Sequence, residues 1–308
     1  MTPFRKIDPT TVKPPRQWAL CGYPGSGKST FAAQMAGPLL VIDSDHRFVE
    51  VAALAGGDVY ELSPNPVDHI DPRRIAELLR QGMPGAGVQT IVVDSLTSII
   101  TPMVMSAMMA NDAGENKNRI GAFREKALGM RLLQDAITGW GVDTLWVYHF
   151  RDARDAKANS VQATTVSAVE LARLRRSLNM QLSVVQEGAN RGIRVDWARR
   201  GRSGAVLWDD SGAWRGMPER IEAAVYGGLT VAEQERISTA EPTGFAGRAD
   251  AIAWAFEKGC FRDAVHAENA YEALKRAKHL GSAVEMWSAW INEVNLRCQA
   301  EQAERVAA

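Results

Sequence analysis

Residues 22–29 read Gly-Tyr-Pro-Gly-Ser-Gly-Lys-Ser, the spacing G-x-x-x-x-G-K-[ST]. No other stretch restricts the fold of this chain so strongly. An apolar run, Trp18-Ala19-Leu20-Cys21, leads into it, and a helical pattern over Thr30 to Ala36 follows. A strand therefore delivers the loop and a helix leaves it. The glycines let successive backbone N–H groups turn inward around phosphate oxygens, and the following helix start adds partial positive charge. In such a loop Lys28 reaches the β- and γ-phosphates and the Ser29 hydroxyl sits on Mg2+. The expected contacts with a nucleoside triphosphate are Gly22, Tyr23, Pro24, Gly25, Ser26, Gly27, Lys28, Ser29 and Thr30.

The remainder of the chain is compatible with one large α/β domain and a small appendage, given 308 residues. Formal charge balances to zero, so a nucleic-acid partner must be met by a local basic patch. Cys21, Cys260 and Cys298 lie far apart with no C-x-x-C pair, which argues for a reducing compartment and against a zinc site or disulfide framework. The first sixteen residues are polar and proline-punctuated, unlike a signal peptide, and no apolar run is long enough to span a membrane. A cytoplasmic protein is expected.

Short apolar runs alternate with helical stretches from residue 17 to about 225, as in a wound α/β sheet. Expected strands are Trp18–Gly22, Leu39–Asp43, Val59–Leu62, Thr90–Asp94, Thr144–His149, Met180–Gln186, Ile193–Ala198 and Ala205–Trp208. The first five contain continuous Val/Ile/Leu runs that suit a parallel sheet buried on both faces. The last three alternate more and predict antiparallel hairpins at one edge. Helices are expected over Thr30–Ala36, Pro72–Gln81, Ile120–Thr138 and Ala168–Leu178. The expected divisions are an N-terminal tail (1–16), an ATPase-type core (17–225), a linker (226–247) and a C-terminal helical domain (248–308). The linker holds one short helix opened by the capping box Thr230-x-x-Glu233. In the last domain Trp287, Trp290, Ile291 and Val294 form one apolar stripe at helical spacing, predicted to pack on the two preceding helices.

Two acidic positions complete the expected site. Thr90-Ile91-Val92-Val93-Asp94 is an apolar strand ending in an acid, where an aspartate orders Mg2+ in a phosphate-loop fold. Val41-Ile42-Asp43-Ser44-Asp45 ends in two acids. Hydrolysis needs a carboxylate that orients the attacking water, and Asp43 or Asp45 can serve.

Ile42-Asp43-Ser44-Asp45-His46-Arg47 after the loop, followed by Ile91-Val92-Val93-Asp94-Ser95, resembles the RecA-type recombinase core. The resemblance covers about residues 17–210 and is closest in build to phage-encoded RecA-like ATPases associated with single-strand annealing and recombination. It implies a RecA-like P-loop NTPase core with a mainly parallel central sheet, antiparallel hairpin strands at one edge and a small C-terminal helical domain. It implies ATP and Mg2+ as cofactors, with Asp45 as the catalytic acid and Ser29 and Asp94 at the metal. The catalytic acid is thus Asp where the family carries Glu. Thr144-Leu145-Trp146-Val147-Tyr148-His149 matches the strand that ends in the γ-phosphate sensor, a glutamine in the family and His149 here. The two strand-binding loops of the family fall at about residues 111–119 and 151–165, which makes Lys117, Arg119, Arg151, Arg154 and Lys157 candidate DNA contacts. Arg199 and Arg200 follow the strand Ile193–Ala198, where the family carries basic residues that reach the neighbouring subunit's ATP. The implied activity is DNA-stimulated ATP hydrolysis at subunit interfaces by a homo-oligomer, filament or ring, that binds single-stranded DNA. A single-strand-binding or replication protein is the candidate partner of the C-terminal helices. A ring-forming replication motor and a nucleotide-gated adaptor are the alternative readings.

Overall fold

The computed structural model describes residues 14–112, 124–154, 160–240, 245, 247–278 and 283–307. Two compact units emerge, one formed by residues 1–199 and 205–224, the other by residues 200–204 and 225–308.

The first unit is a nine-stranded sheet. Its strands are β1 (Gln17–Gly22), β2 (Leu39–Asp43), β3 (Val59–Glu61), β4 (Thr90–Asp94), β5 (Asp143–Arg154), β6 (Ser160–Thr164), β7 (Met180–Glu187), β8 (Asn190–Ala198) and β9 (Val206–Trp208). They run in the order β3-β2-β4-β5-β1-β7-β8-β9, with β6 paired to β5 beyond this path. The pairs from β3 to β7 are parallel, and β7–β8, β8–β9 and β5–β6 are antiparallel. The mixed α/β class, the mainly parallel sheet and the antiparallel edge therefore stand as expected. One detail differs: β7 is parallel to β1 on one side and turns antiparallel only toward β8.

Strand composition explains the burial. Trp18 and Leu20 point to one face of β1 and Ala19 and Cys21 to the other, and all four are buried, as in a parallel sheet covered on both sides. On the second face Ala19, Cys21, Ile42, Ile91, Val93, Trp146 and Tyr148 form one core. Four helices cover it: α2 (Pro72–Gly82), α3 (Leu96–Asp112), α4 (Arg124–Thr138) and α5 (Ala168–Ser177). Helix α2 starts where Asp71 accepts from Arg73 N at 2.9 Å with Pro72 at the first position, and it buries Ile75, Ala76 and Leu79.

Three departures have local causes. Helix α1 is Lys28–Ala32 only. Beyond it Gln34 N and Met35 N bond carbonyls three residues back, at 2.9 and 3.1 Å, and Gly37-Pro38 ends the segment. Helix α3 was not expected, because Pro102 lies inside it and its apolar residues are not confined to one face. The segment from Arg151 to Thr165, expected as a loop, is largely a ribbon: β5 runs on to Arg154 and pairs with β6 from Phe150↔Thr164 to Arg154↔Ser160. Alternation in Ser160-Val161-Gln162-Ala163-Thr164 suits that ribbon.

Helix α6 (Met217–Tyr226) closes the first unit. Arg16, 9% exposed at its side chain, reaches from the start of β1 to Glu219 at 3.0 Å and Glu222 at 2.7 Å. In the second unit α7 (Val231–Ala240) opens with the expected capping box. Thr230 N and Oγ1 both donate to Glu233 Oε2 (2.8 and 2.7 Å), and Glu233 N donates back to Thr230 Oγ1 at 3.3 Å. Helices α8 (Arg248–Glu257), α9 (Ala264–Lys278) and α10 (Ala283–Ala307) enclose a core of their own. Trp290 and Val294 of the predicted stripe are fully buried there and Trp287 packs beside them. The Trp290 indole donates to Ala251 O at 2.9 Å. Among the described residues no helix is long and apolar enough to cross a membrane.

Candidate nucleotide site

The carboxyl ends of the parallel strands carry the chemistry, the usual place for ligands in open α/β sheets. Gly22 ends β1 opposite His149 of β5, and Asp43 ends β2 opposite Asp94 of β4. Because β5 lies between β1 and β4, the strand that ends at His149 separates the glycine loop from the acidic strands.

The loop turns on two glycines. Gly25 and Gly27 have φ of 76° and 89°, a region that side chains disfavour. Gly27 is also crowded: an added Cβ would lie 2.7 Å from Arg191 Nη1 and 3.0 Å from Trp214 Nε1. That indole donates to Gly27 O at 3.0 Å, while its ring meets Phe31 edge-on and carries the Arg191 guanidinium 5.0 Å above its centre. Asp209 organises this support, accepting from Ser211 Oγ at 2.7 Å and Trp214 N at 3.3 Å, with Arg191 at 3.6 Å. Sequence reading missed Trp214 and Asp209. The signal was present as an Asp-x-Ser turn followed by a tryptophan between glycines.

Lys28 is 5% exposed, and its ammonium donates to Tyr23 O at 2.7 Å. Burial lowers its pKa, opposed by the charges of Asp94 and Asp45. Asp94 shows the converse. Burial pushes its carboxyl up to about 6, with Asp45 and Asp43 adding to the rise and a hydrogen bond from Ser29 and the charge of Lys28 opposing it. Asp94 and Asp45 thus act on one buried lysine, and Asp43 adds its charge beside Asp94. A triphosphate would favour the ammonium and a divalent cation would favour the ionised aspartate.

The donor set fits Mg2+. Ser29 already hydrogen-bonds Asp94, and the buried Asp43 Oδ1 and Ser26 Oγ lack a hydrogen-bond partner. Among the described residues no group of three or more His, Cys, Asp or Glu forms a complete cage. When bound, the ion would neutralise charge on the β- and γ-oxygens.

Asp43 and Asp45 differ in environment. Asp43 Oδ2 accepts from Phe48 N at 2.8 Å and closes the turn after β2. Asp45 stands on that turn, half-buried, and accepts from Ser98 Oγ. His149 is held by its backbone: its carbonyl accepts from Thr165 N and Oγ1, both at 3.0 Å, and its N–H donates to Thr97 Oγ1 at 3.3 Å. Burial, then Lys28, lowers the imidazole's pKa, with Asp45 opposing. The neutral ring is therefore favoured.

The remaining expected residues lie elsewhere. Pro24 is exposed at the tip of the loop and Thr30 lies in α1. Arg199 donates to Leu178 O at 2.9 Å and Arg176 O at 2.6 Å, closing the C-terminal end of α5. Arg200 pairs with Glu235 at 2.7 Å on an exposed surface. Arg151 is exposed on β5, and Arg154 lies at the end of that strand opposite Ser160. Lys117, Arg119 and Lys157 fall outside the described residues.

Among solved structures the chain is similar to the RadB recombinase, with 16% identity over 63% of this chain and 87% of that one and a TM-score of 0.39. It is also similar to a KaiC-like protein from Pyrococcus horikoshii OT3, with 16% identity over 61% and 82% and a TM-score of 0.33. No curated protein matches it. The family model for the AAA domain matches residues 15–191, from before β1 through the start of β8. The chain belongs to the AAA domain family.

Proposed function

We propose that this protein is an ATP-dependent, single-stranded-DNA-binding recombination or annealing protein that hydrolyses ATP at interfaces between its own subunits. One observation carries the reading. Strand β5 brings His149 level with Gly22 of the loop and continues without a break into the β5–β6 ribbon that bears Arg151. A single strand thus joins a phosphate sensor to a candidate DNA-contacting element.

In this reading Lys28 balances β/γ charge, Ser29 and Asp94 hold Mg2+, and Asp45 orients the attacking water. His149, kept neutral, donates to the γ-phosphate. Arg151, with Arg154, Lys157, Lys117 and Arg119, neutralises DNA phosphates without reading bases. For the trans-acting arginine, Arg200 is the better candidate. Arg199 is engaged by helix carbonyls, whereas Arg200 has an exposed ion pair, which is cheap to exchange.

The test is fluorescence anisotropy of a labelled single-stranded oligonucleotide, with and without a non-hydrolysable ATP analogue, across a salt series. Affinity should rise with the analogue and fall with salt. Binding that ignores both removes the DNA reading.

A second reading, a nucleotide-gated adaptor, has its own support in the separate aromatic core of α8–α10. Deletion of residues 248–308 that leaves ATPase and DNA binding intact while abolishing capture of a partner favours it.

A further inference from the structure

We propose that Tyr23 is a positioning residue that couples the phosphate loop to the β5–β6 ribbon, so that the ribbon's conformation follows the triphosphate. The inference rests on the assignment of residues 22–29 as the triphosphate site and is independent of what the ribbon binds.

Tyr23 touches both elements with different atoms. Its carbonyl accepts from Lys28 Nζ at 2.7 Å and from Ser26 N at 3.1 Å, inside the loop. Its hydroxyl donates to Asp152 Oδ1 at 2.8 Å, and Gln162 also hydrogen-bonds to it. Asp152 and Gln162 are directly opposed across the ribbon, so one phenol grips both strands. Phe150, two residues before Asp152 and hence on the same face, packs its ring 5.7 Å from the Tyr23 ring.

The consequence follows from competition for one ammonium. Phosphate oxygens attract Lys28 more strongly than a peptide carbonyl does, so triphosphate binding draws Nζ from Tyr23 O. Tyr23 precedes Pro24, which confines its backbone to extended conformations. The released residue therefore shifts with few alternatives, and the phenol carries Asp152 and Gln162 with it. The base of the ribbon stays anchored, since Thr165 holds His149 O by two bonds. The ribbon pivots at His149 and Thr165 and is steered at Asp152.

Hydrogen–deuterium exchange of peptides spanning residues 150–164, with and without Mg2+ and a non-hydrolysable ATP analogue, tests this. A fluorescent analogue monitors binding in parallel. In the unaltered protein the analogue should change ribbon exchange. Asp152→Ala should bind the analogue as before while its ribbon response falls about tenfold, the factor one hydrogen bond supports. Asp152→Asn removes the same charge but keeps an acceptor for the phenol, and should restore the response. Tyr23→Phe should lose it as Asp152→Ala does. An Asp152→Ala ribbon that responds like the unaltered one overturns the coupling. So does an Asp152→Asn ribbon as silent as Asp152→Ala, or an unaltered ribbon indifferent to bound analogue. Failure of the unaltered protein to bind the analogue strikes the nucleotide assignment instead.

Discussion

Ser44 and Ser95 grip each other twice: Ser44 Oγ donates to Ser95 O at 2.8 Å and accepts from Ser95 N at 2.8 Å. Ser44 N adds a bond to Asp94 O, also 2.8 Å. This clip joins β2 to β4 just past the last paired residues, Asp43 and Asp94. It ties together the strand ends that carry Asp43 and Asp94, next to Asp45. Ser44→Ala leaves the buried Ser95 N–H unpaired, while Ser95 O keeps Ser98 N as a donor, at a cost of roughly 1–3 kcal/mol. We expect a lower urea midpoint, together with a larger fall in kcat than in nucleotide affinity. Unchanged kcat would mean that the acids keep their places without the clip.

Asp45→Asn should separate binding from hydrolysis. The amide oxygen can still accept from Ser98 Oγ, the contact Asp45 makes now, so the turn keeps its shape. In the proposed reading, the lost charge removes the group that orients water. Turnover should fall by about 10²–10⁴-fold, the span of general-base contributions, while ATP affinity stays level or rises. Nucleotide titration beside a phosphate-release assay reads both. Equal loss of affinity and rate would make Asp45 a metal or structural residue.

Trp214→Phe tests the support beneath the loop. It retains the ring against Phe31 and removes the donor to Gly27 O. The half-buried carbonyl then keeps only Phe31 N as a donor, at a cost of about 1 kcal/mol, and the loop loses definition. We expect weaker nucleotide binding with little change in the turnover of bound nucleotide. Gly27→Ala is more severe: φ of 89° is unfavourable for alanine, and the new methyl meets Arg191 and Trp214. Affinity like that of the unaltered protein in both variants, by calorimetry, would leave this support without a role.

The strand–glycine loop–helix arrangement over residues 17–32 was legible because the glycine spacing and the flanking patterns coincide within a few consecutive residues. The place of Asp94 beside Ser29 and Lys28 was legible because an apolar run that ends in an acid reads as a buried strand delivering that acid to the sheet's carboxyl end. Trp214, in contrast, reaches Gly27 across nearly the whole length of the core, and local pattern carries no information on such pairs. The ribbon was hidden by its composition: Arg, Asp and Lys dominate Arg151–Lys157, and polarity reads as loop when cross-strand pairing is unseen. Helix α3 was hidden by Pro102 and by apolar residues on its exposed side, Met105, Met108 and Met109, as well as its buried one, so no single apolar face gives a period to detect. Arg199 and Arg200 are adjacent in sequence and look equivalent, yet one binds helix carbonyls and the other an exposed glutamate.

That last difference predicts opposite phenotypes. Arg199→Ala uncovers the carbonyls at the end of α5, costing about 1 kcal/mol of stability because water can replace part of the contact. It should lower the thermal midpoint more than the rate. Arg200→Ala breaks only an exposed pair, worth little to the fold, and should abolish turnover while nucleotide binding persists. Each phenotype also has a stability explanation, so the decisive measurement is complementation. Arg200→Ala keeps a complete loop but supplies no finger, and Lys28→Ala supplies a finger but cannot turn over ATP. Each variant alone should be inactive. In an equal mixture across a heterologous interface, a working site needs an Arg200→Ala subunit beside a Lys28→Ala subunit, a pairing that random assortment makes at about a quarter of interfaces. Phosphate release should recover to about that fraction of the unaltered rate. A mixture as silent as its components would show that Arg200 does not act across the interface, and hydrolysis would then be a property of the single chain.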